Sequence, residues 1–343
     1  MNVTGAFPVT EQSQIAEPRR AVLWLADQLL FSEERAGQAA LIVSELATNL
    51  VKHAKHGEML LRRLSLEGPH PDGIEIVALD KGPGLDNVAL SRTDGFSTAG
   101  TLGHGLGAAE RQSDEFDLYT HPTGTVIVAT IGRNEPRRPS AASRIDIGAV
   151  QVSKAGEDVC GDGFASHLRE GRLAILVVDG LGHGYPAFEA ASTAVTLFSK
   201  VHEKAPVSVI EDIHAALRST RGAAAAVLVV DLERGTAAYA GLGNIAGAII
   251  PDDGERRNLI SHNGTAGHTA GRIQEFNYVV PPSAVIVLAS DGLGTHWNID
   301  SYAGLRRHSP TAIAAILYRD FSRRRDDVTV VVAKQRPQLA EKL

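Results

Sequence analysis

The chain has 343 residues, 43% of them hydrophobic and 22% charged, which is enough for two domains with ordinary cores. A formal net charge of -6 argues against a dedicated nucleic-acid binder, and no apolar run reaches the ~18 residues of a membrane-crossing helix. The lone Cys160 excludes an internal disulfide, and the N-terminal MNVTGAFPVTEQSQIAEPRR lacks the basic-then-apolar order of a secretory signal, so a cytoplasmic location is expected.

In chain order, residues 33–55 carry the first strong helical periodicity. Ala39, Ile42, Val43, Leu46, Leu50 and Ala54 share one side, and Glu45, Asn49 and His53 form a polar row on the other. Taken alone, that row is equally the wet side of an amphipathic helix. IEIVAL, residues 74–79, reads as a buried strand that ends in Asp80-Lys81-Gly82-Pro83-Gly84. A carboxylate at a strand end beside two glycines leaves a backbone-lined pocket, and Asp80 could accept from an exocyclic amine such as that of adenine. An isolated DxGxG is more often a simple turn. Next come Gly100-Thr101-Leu102-Gly103-His104-Gly105-Leu106-Gly107 and a helix over about 105–113. Glycines let backbone N–H groups approach phosphates, and the helix N-terminus favours the same charge. Gly124-Thr125 opens a last apolar strand to Ile131.

Gly132 to Arg144, GRNEPRRPSAASR, is proline-rich, charged and small, as a linker between domains reads. The expected organisation is a first domain at 1–134, a linker at 135–142 and a second domain at 143–335.

In the second half, apolar strands end repeatedly in aspartate. LAILVV runs from Leu173 into Asp179-Gly180, and VIVLA from Val285 through Ser290 into Asp291-Gly292. Asp162 follows Gly161, and Asp326-Asp327 precedes the strand Val328 to Val332. One Asp-Gly pair is usually a turn, but four such places beside buried strands suggest hard-cation ligands at one sheet edge. No His/Cys cluster has zinc spacing. Two close divalent ions could polarise a phosphoryl oxygen and activate water without a protein nucleophile. His183, in GLGHG, reads as a turn or helix-start residue before a helix over Tyr185 to His202. The basic groups Arg306-Arg307 and Arg323 to Arg325 read as solvated faces.

SELATNLVKHA, DKGPG, DGFSTAGTLGHGLGA and the final GT stand in the order of the Bergerat-type (GHKL, HATPase) ATPase fold. Within it the first half resembles the small serine/threonine kinases of bacterial partner switching, especially the RsbT-like switch kinases. The resemblance implies ATP and Mg²⁺ as cofactors, with Glu45 as general base and Asn49 on the metal. It implies Asp80 and Thr125 at adenine, Gly82 and Gly84 flooring the base pocket, and His53, Thr101, Gly103, Gly105 and Gly107 lining the rest of the nucleotide site. GEDVCGDGF, VVDGLGHG, AGLGNI, LASDGLG and RDDVTVVV resemble the metal-dependent phosphatases of the SpoIIE branch, most closely the RsbX-like ones. That resemblance implies a two-metal site for Mn²⁺ or Mg²⁺ held by Asp162, Asp179, the Gly180 carbonyl, Asp291 and Asp326. Asp327 supports it from behind, and Gly243-Asn244 shapes its floor. No basic phosphate-clamp residue precedes Asp162, where the eukaryotic relatives of that family carry one.

The expected fold class is therefore α+β, a Bergerat-type α/β sandwich followed by an α/β/β/α sandwich. The expected function is a bifunctional partner-switching kinase and phosphatase acting on STAS-domain proteins, its opposed activities sharing one local concentration of substrate. A sigma factor or a downstream phosphatase is a further partner class that the resemblance implies. No nucleic-acid or membrane partner is expected, and a homodimer through the first half is compatible with the kinase family. The alternative is an ATP-gated binding module fused to a phosphatase that supplies all the catalysis.

Overall fold

The computed structural model describes residues 5–64, 72–85, 105–134, 145–252 and 255–336. In the first half, β1 (Gly5–Pro8) leads into α1 (Ala16–Gln28) and α2 (Glu33–His53). Ser32 caps α2 by accepting from the Arg35 N–H, Glu33 and Glu34 occupy its first turn, and Lys52 and His53 its last. β2 (Glu58–Leu64), β3 (Gly73–Leu79), α3 (Gly105–Gln112), β4 (Glu115–His121) and β5 (Gly124–Gly132) follow. The strands form an antiparallel sheet ordered β1-β2-β3-β5-β4. Val22, Ala39, Ile42, Val43, Leu46 and Leu50 pack with Met59, Ile74, Ile76 and Ile127 into one core, so the helices cover one face of that sheet. The apolar row predicted for α2 is the buried one, except that Ala54 falls just past the helix and is only half-buried.

The second half opens with β6 (Ile145–Val152), β7 (Asp162–Arg169) and β8 (Arg172–Gly180), then α4 (Tyr185–Val201) and α5 (Pro206–Ala216). β9 (Ala223–Asp231), β10 (Thr236–Leu242), β11 (Ala246–Ile250) and β12 (Arg257–Asn258) follow, with a small hairpin of β13 (Gly264–Thr265) and β14 (Thr269–Ala270). β15 (Phe276–Val279), β16 (Val285–Ala289), α6 (Pro310–Phe321) and β17 (Val328–Gln335) complete it. One sheet runs β15-β10-β9-β8-β7 and the other β12-β11-β16-β17-β6, antiparallel throughout. Leu173, Ile175, Leu228, Tyr239, Ile249, Ile286, Leu288 and Val331 fill the space between them. α4 and α5 cover the outer face of the first sheet through Ala190, Ala194, Phe198, Ile210 and Ile213. This is the predicted α/β/β/α sandwich.

Its last layer is shared. α6 covers the β6–β17 sheet, yet every residue from Pro310 to Arg319 is buried. A helix apolar all round must be enclosed all round. Its second partner is the first half's sheet: Ile313, Ile316 and Leu317 belong to one core with Val150, Val330 and Val332 and also with Leu60, Val77, Leu79, Val126 and Val128. Polar contacts flank this seam. Thr311 Oγ1 donates to Glu75 Oε2 at 2.8 Å, and Glu75 Oε1 pairs with Arg62 at 2.6 Å on the neighbouring strand. Tyr318 Oη donates to Glu58 at 2.9 Å, and the Ser309 N–H and His308 ring contact Asp117. Two members of the basic clusters are not free solvated charges. Arg324 pairs with Glu58 at 3.2 Å over the Tyr318 ring, and Arg306 pairs with Asp300 at 2.6 Å. Among the described residues, no helix is long and apolar enough to cross a membrane.

Candidate functional sites

In the first half, Glu45 and Asn49 lie one turn apart on α2, both half-buried. Against them stands the first turn of α3. A Cβ on Gly105 would sit 2.6 Å from Glu45 Oε2 and 3.6 Å from Asn49 Oδ1. Glycine there lets the helix N-terminus meet both side chains, and Gly107 is buried in the same turn. Thr101 and Gly103 lie outside the described residues.

Asp80 follows β3, and its N–H donates to the Thr125 carbonyl at 3.0 Å at the start of β5. Its Oδ1 accepts the Gly82 N–H at 2.5 Å. Burial drives the Asp80 carboxyl above its ordinary value, opposed by the backbone N–H groups of Gly82 and Thr125 and by Arg319. Gly84 has φ +82, and a Cβ there would meet the His121 carbonyl at 2.6 Å, so this turn requires glycine. Thr125 Oγ1 lies 3.2 Å from Thr120 Oγ1. Asp80, Gly82, Gly84 and Thr125 thus gather where two adjacent strands meet. His53 differs: its side chain is exposed, and its carbonyl is what lies near Gly82.

In the second half, Asp162 opens β7 directly opposite Asp179 near the end of β8. A Cβ on Gly180 would clash with the Ala187 carbonyl, so glycine admits α4 to the strand end. Ser290 Oγ donates to Asp162 Oδ2 at 2.6 Å and accepts the Thr329 N–H at 2.9 Å, tying the two sheets together behind the carboxylates. Gln151 Nε2 donates to the Asp162 carbonyl at 2.7 Å, and Asn244 Nδ2 to Asp291 Oδ2 at 2.8 Å. Asp327 accepts the Lys154 N–H at Oδ1, while its Oδ2 is buried without a hydrogen-bond partner. Its own N–H donates to Asp326 Oδ1 at 3.0 Å. His183 precedes the start of α4 and holds Glu157 at 2.5 Å, half exposed.

Electrostatics mark this cluster. Burial, then repulsion from Asp291, Asp326 and Asp327, pushes the Asp179 carboxyl up to about 7. Burial and Asp179 raise Asp162 well above its ordinary value; burial and Asp326 raise Asp291, with Arg323 opposing. Five carboxylates are therefore held together with little cationic compensation. Among the described residues, no three of them stand close enough to cage one ion as they are. A closed cage is not needed for Mg²⁺, which keeps several waters and takes one or two carboxylates. An all-oxygen donor set with unrelieved charge and an orphaned Asp327 oxygen fits divalent cations.

Ser290 and Gln151 escaped the sequence reading, because nothing local links them to Asp162. The signal for Ser290 in the sequence is its place in LASDGLG, a hydroxyl between an apolar strand and Asp291.

Residues 7–131 match the family model of the histidine kinase-like ATPase domain, and residues 169–336 that of stage II sporulation protein E. The chain is 31% identical over 118 residues to the serine/threonine-protein kinase RsbT of Bacillus subtilis, spanning 34% of this chain and 87% of that protein. It is 25% identical over 188 residues to the phosphoserine phosphatase RsbX of the same organism, spanning 54% of this chain and 92% of that one. A crystal structure of RsbX in complex with magnesium shares the fold, with TM-score 0.52 and 24% identity over 57% of this chain and 98% of that one. The chain belongs to the histidine kinase-like ATPase family through an RsbT-like first half, and it joins that half to a SpoIIE-type, RsbX-like phosphatase domain.

Proposed function

We propose that this chain is a bifunctional partner-switching enzyme that phosphorylates a serine or threonine of a STAS-domain protein and removes phosphate from the same protein or a sister. In the kinase half, Glu45 takes the proton from the acceptor hydroxyl, and Asn49 holds the Mg²⁺ that accompanies ATP. Asp80 accepts from the adenine amine, with Thr125 beside it and Gly82 and Gly84 beneath. Gly105 and Gly107 offer backbone N–H groups to the phosphates, and Thr101 and Gly103, outside the described residues, belong to the same nucleotide site. When bound, two divalent cations supply Lewis acidity and an activated water to the phosphatase half. Asp162, Asp179, the Gly180 carbonyl, Asp291 and Asp326 hold those cations, and Ser290 and Asn244 orient Asp162 and Asp291.

The observation that carries this reading is the seating of α3's first turn against Glu45 and Asn49, a carboxylate and an amide beside a helix N-terminus, which supports the roles of base and phosphate cradle. A pure nucleotide-gated binder has no use for that carboxylate. The test is a mass-spectrometric time course with a STAS-domain protein and Mg-ATP, followed by Mn²⁺ after ATP is exhausted. Phosphate should appear on the partner and then disappear. Glu45→Gln should abolish appearance and Asp291→Asn disappearance. Undiminished phosphorylation by Glu45→Gln would sink the general-base assignment.

A further inference from the structure

α6 connects the two sites. Arg319, in its last turn, has a side chain only 1% exposed. Its Nη1 donates to the Asp80 carbonyl at 2.9 Å and its Nη2 to Thr123 Oγ1 at 3.3 Å. Gly124, with φ +137, leaves room for this approach; a Cβ there would lie 2.6 Å from Nη1. The guanidinium is aimed from its far side by Asp320, which accepts from Arg319 at 2.7 Å and from Tyr302 Oη at 2.7 Å. A buried arginine of the second half therefore clamps the strand end that carries Asp80 and the turn that precedes Thr125.

The residues just beyond hold the other site. The Phe321 carbonyl accepts the Gly294 N–H at 2.8 Å, and the Arg323 N–H donates to the Gly292 carbonyl at 2.9 Å. Ser322 bridges to Leu293 between them. Residues 319–323 are thus bonded at one end to Asp80 and at the other to the loop that immediately follows Asp291. Gly292 is itself pressed so closely on the Asp327 carbonyl that a Cβ would clash. The two anchors lie within five consecutive residues at the end of α6, and closely packed interiors transmit strain.

We propose that Arg319 is a positioning residue for the nucleotide pocket, supplied by the phosphatase half, and that nucleotide occupancy of the first site and divalent-cation occupancy of the second are linked through the last turn of α6. The inference rests on the ATP reading of the first half. Nucleotide fixes Asp80 and its turn, which fixes Arg319 and the 291–294 loop, so the linkage is positive and reciprocal.

The test uses the full chain. ADP affinity is measured by calorimetry at saturating Mg²⁺ for wild type, Arg319→Met, Arg319→Lys and Thr123→Val. The free Mn²⁺ giving half-maximal hydrolysis of p-nitrophenyl phosphate is then measured with and without saturating ADP. ADP affinity should fall about tenfold in Arg319→Met, as expected for one charged hydrogen-bond donor, recover in part in Arg319→Lys, and fall about twofold in Thr123→Val. ADP should lower the wild-type Mn²⁺ midpoint about fivefold, and should not move it in Arg319→Met. Equal ADP affinity in all four proteins, or a wild-type Mn²⁺ midpoint that ignores ADP, overturns the proposal. If Arg319→Met does not fold, Thr123→Val and the wild-type midpoint decide the matter. A wild type that binds no ADP overturns the ATP reading itself, and the linkage with it.

Discussion

Asp179→Asn should stabilise the metal-free protein while it destroys phosphatase activity. Asp179 sits at the end of β8 with its carboxyl pushed up to about 7 by burial and by repulsion from Asp291, Asp326 and Asp327. In the unfolded chain the same group ionises near 4. The folded state therefore holds this proton more tightly. Its contribution to stability is fully present below about pH 4 and is lost as pH rises through about 7. A gap of about three pH units corresponds to ~4 kcal/mol for an isolated group. The neighbouring aspartates share that penalty and relax when one is neutral, so the net gain from one substitution is about 2 kcal/mol. In a domain of this size that raises Tm by about 4–8 °C. The assay is scanning calorimetry in EDTA at pH 7.5 and pH 5. At pH 7.5 the variant should melt above wild type, and at pH 5 the difference should shrink to about a third, because folded wild type is then already protonated. Mg²⁺ or Mn²⁺ should stabilise wild type at pH 7.5 and have little effect on the variant. A metal-free Asp179→Asn protein that melts at or below wild type at pH 7.5 would refute the picture of a site built from unrelieved negative charge.

Two further outcomes are expected. Gly105→Ala should leave folding stability within about 1 kcal/mol of wild type, because its Cβ presses only on the flexible end of Glu45 and merely touches Asn49, yet should cut phosphoryl transfer about 100-fold by displacing that carboxylate; steady-state kinetics beside urea denaturation checks both. Glu75→Gln should cost about 3 kcal/mol in urea denaturation by leaving Arg62 buried without its charge partner, and Arg62→Met combined with Glu75→Met should recover most of the loss.

What the sequence makes legible is what its local chemistry dictates. The 3.6-residue period of α2, the apolar runs of β3, β8 and β16, and the aspartates that punctuate them are adjacent along the chain, and their periodicity alone marks the element bounds to within about two residues. The supporting atoms are not adjacent. Ser290 reaches Asp162 across 128 positions, and Thr311 reaches Glu75 across 236. Glu75 inside IEIVAL is a legible signal, since a carboxylate in a fully buried strand demands a partner, though nothing local says that the partner is Arg62 on the next strand. PTAIAAILYRDF is apolar on every side, which requires two covering surfaces, whereas an outer layer of a four-layer sandwich offers one. The second surface is the face of the first sheet that carries Leu60, Val77, Leu79, Val126 and Val128. Each half thus leaves an apolar face that the other covers. Shared local concentration of substrate, the motive for fusion visible in the sequence, would be met by any tether of suitable length. A tether alone does not explain a helix enclosed by both halves or an arginine of one half buried against the turns at Asp80 and Thr123 of the other. Those features require the two halves to fold against each other.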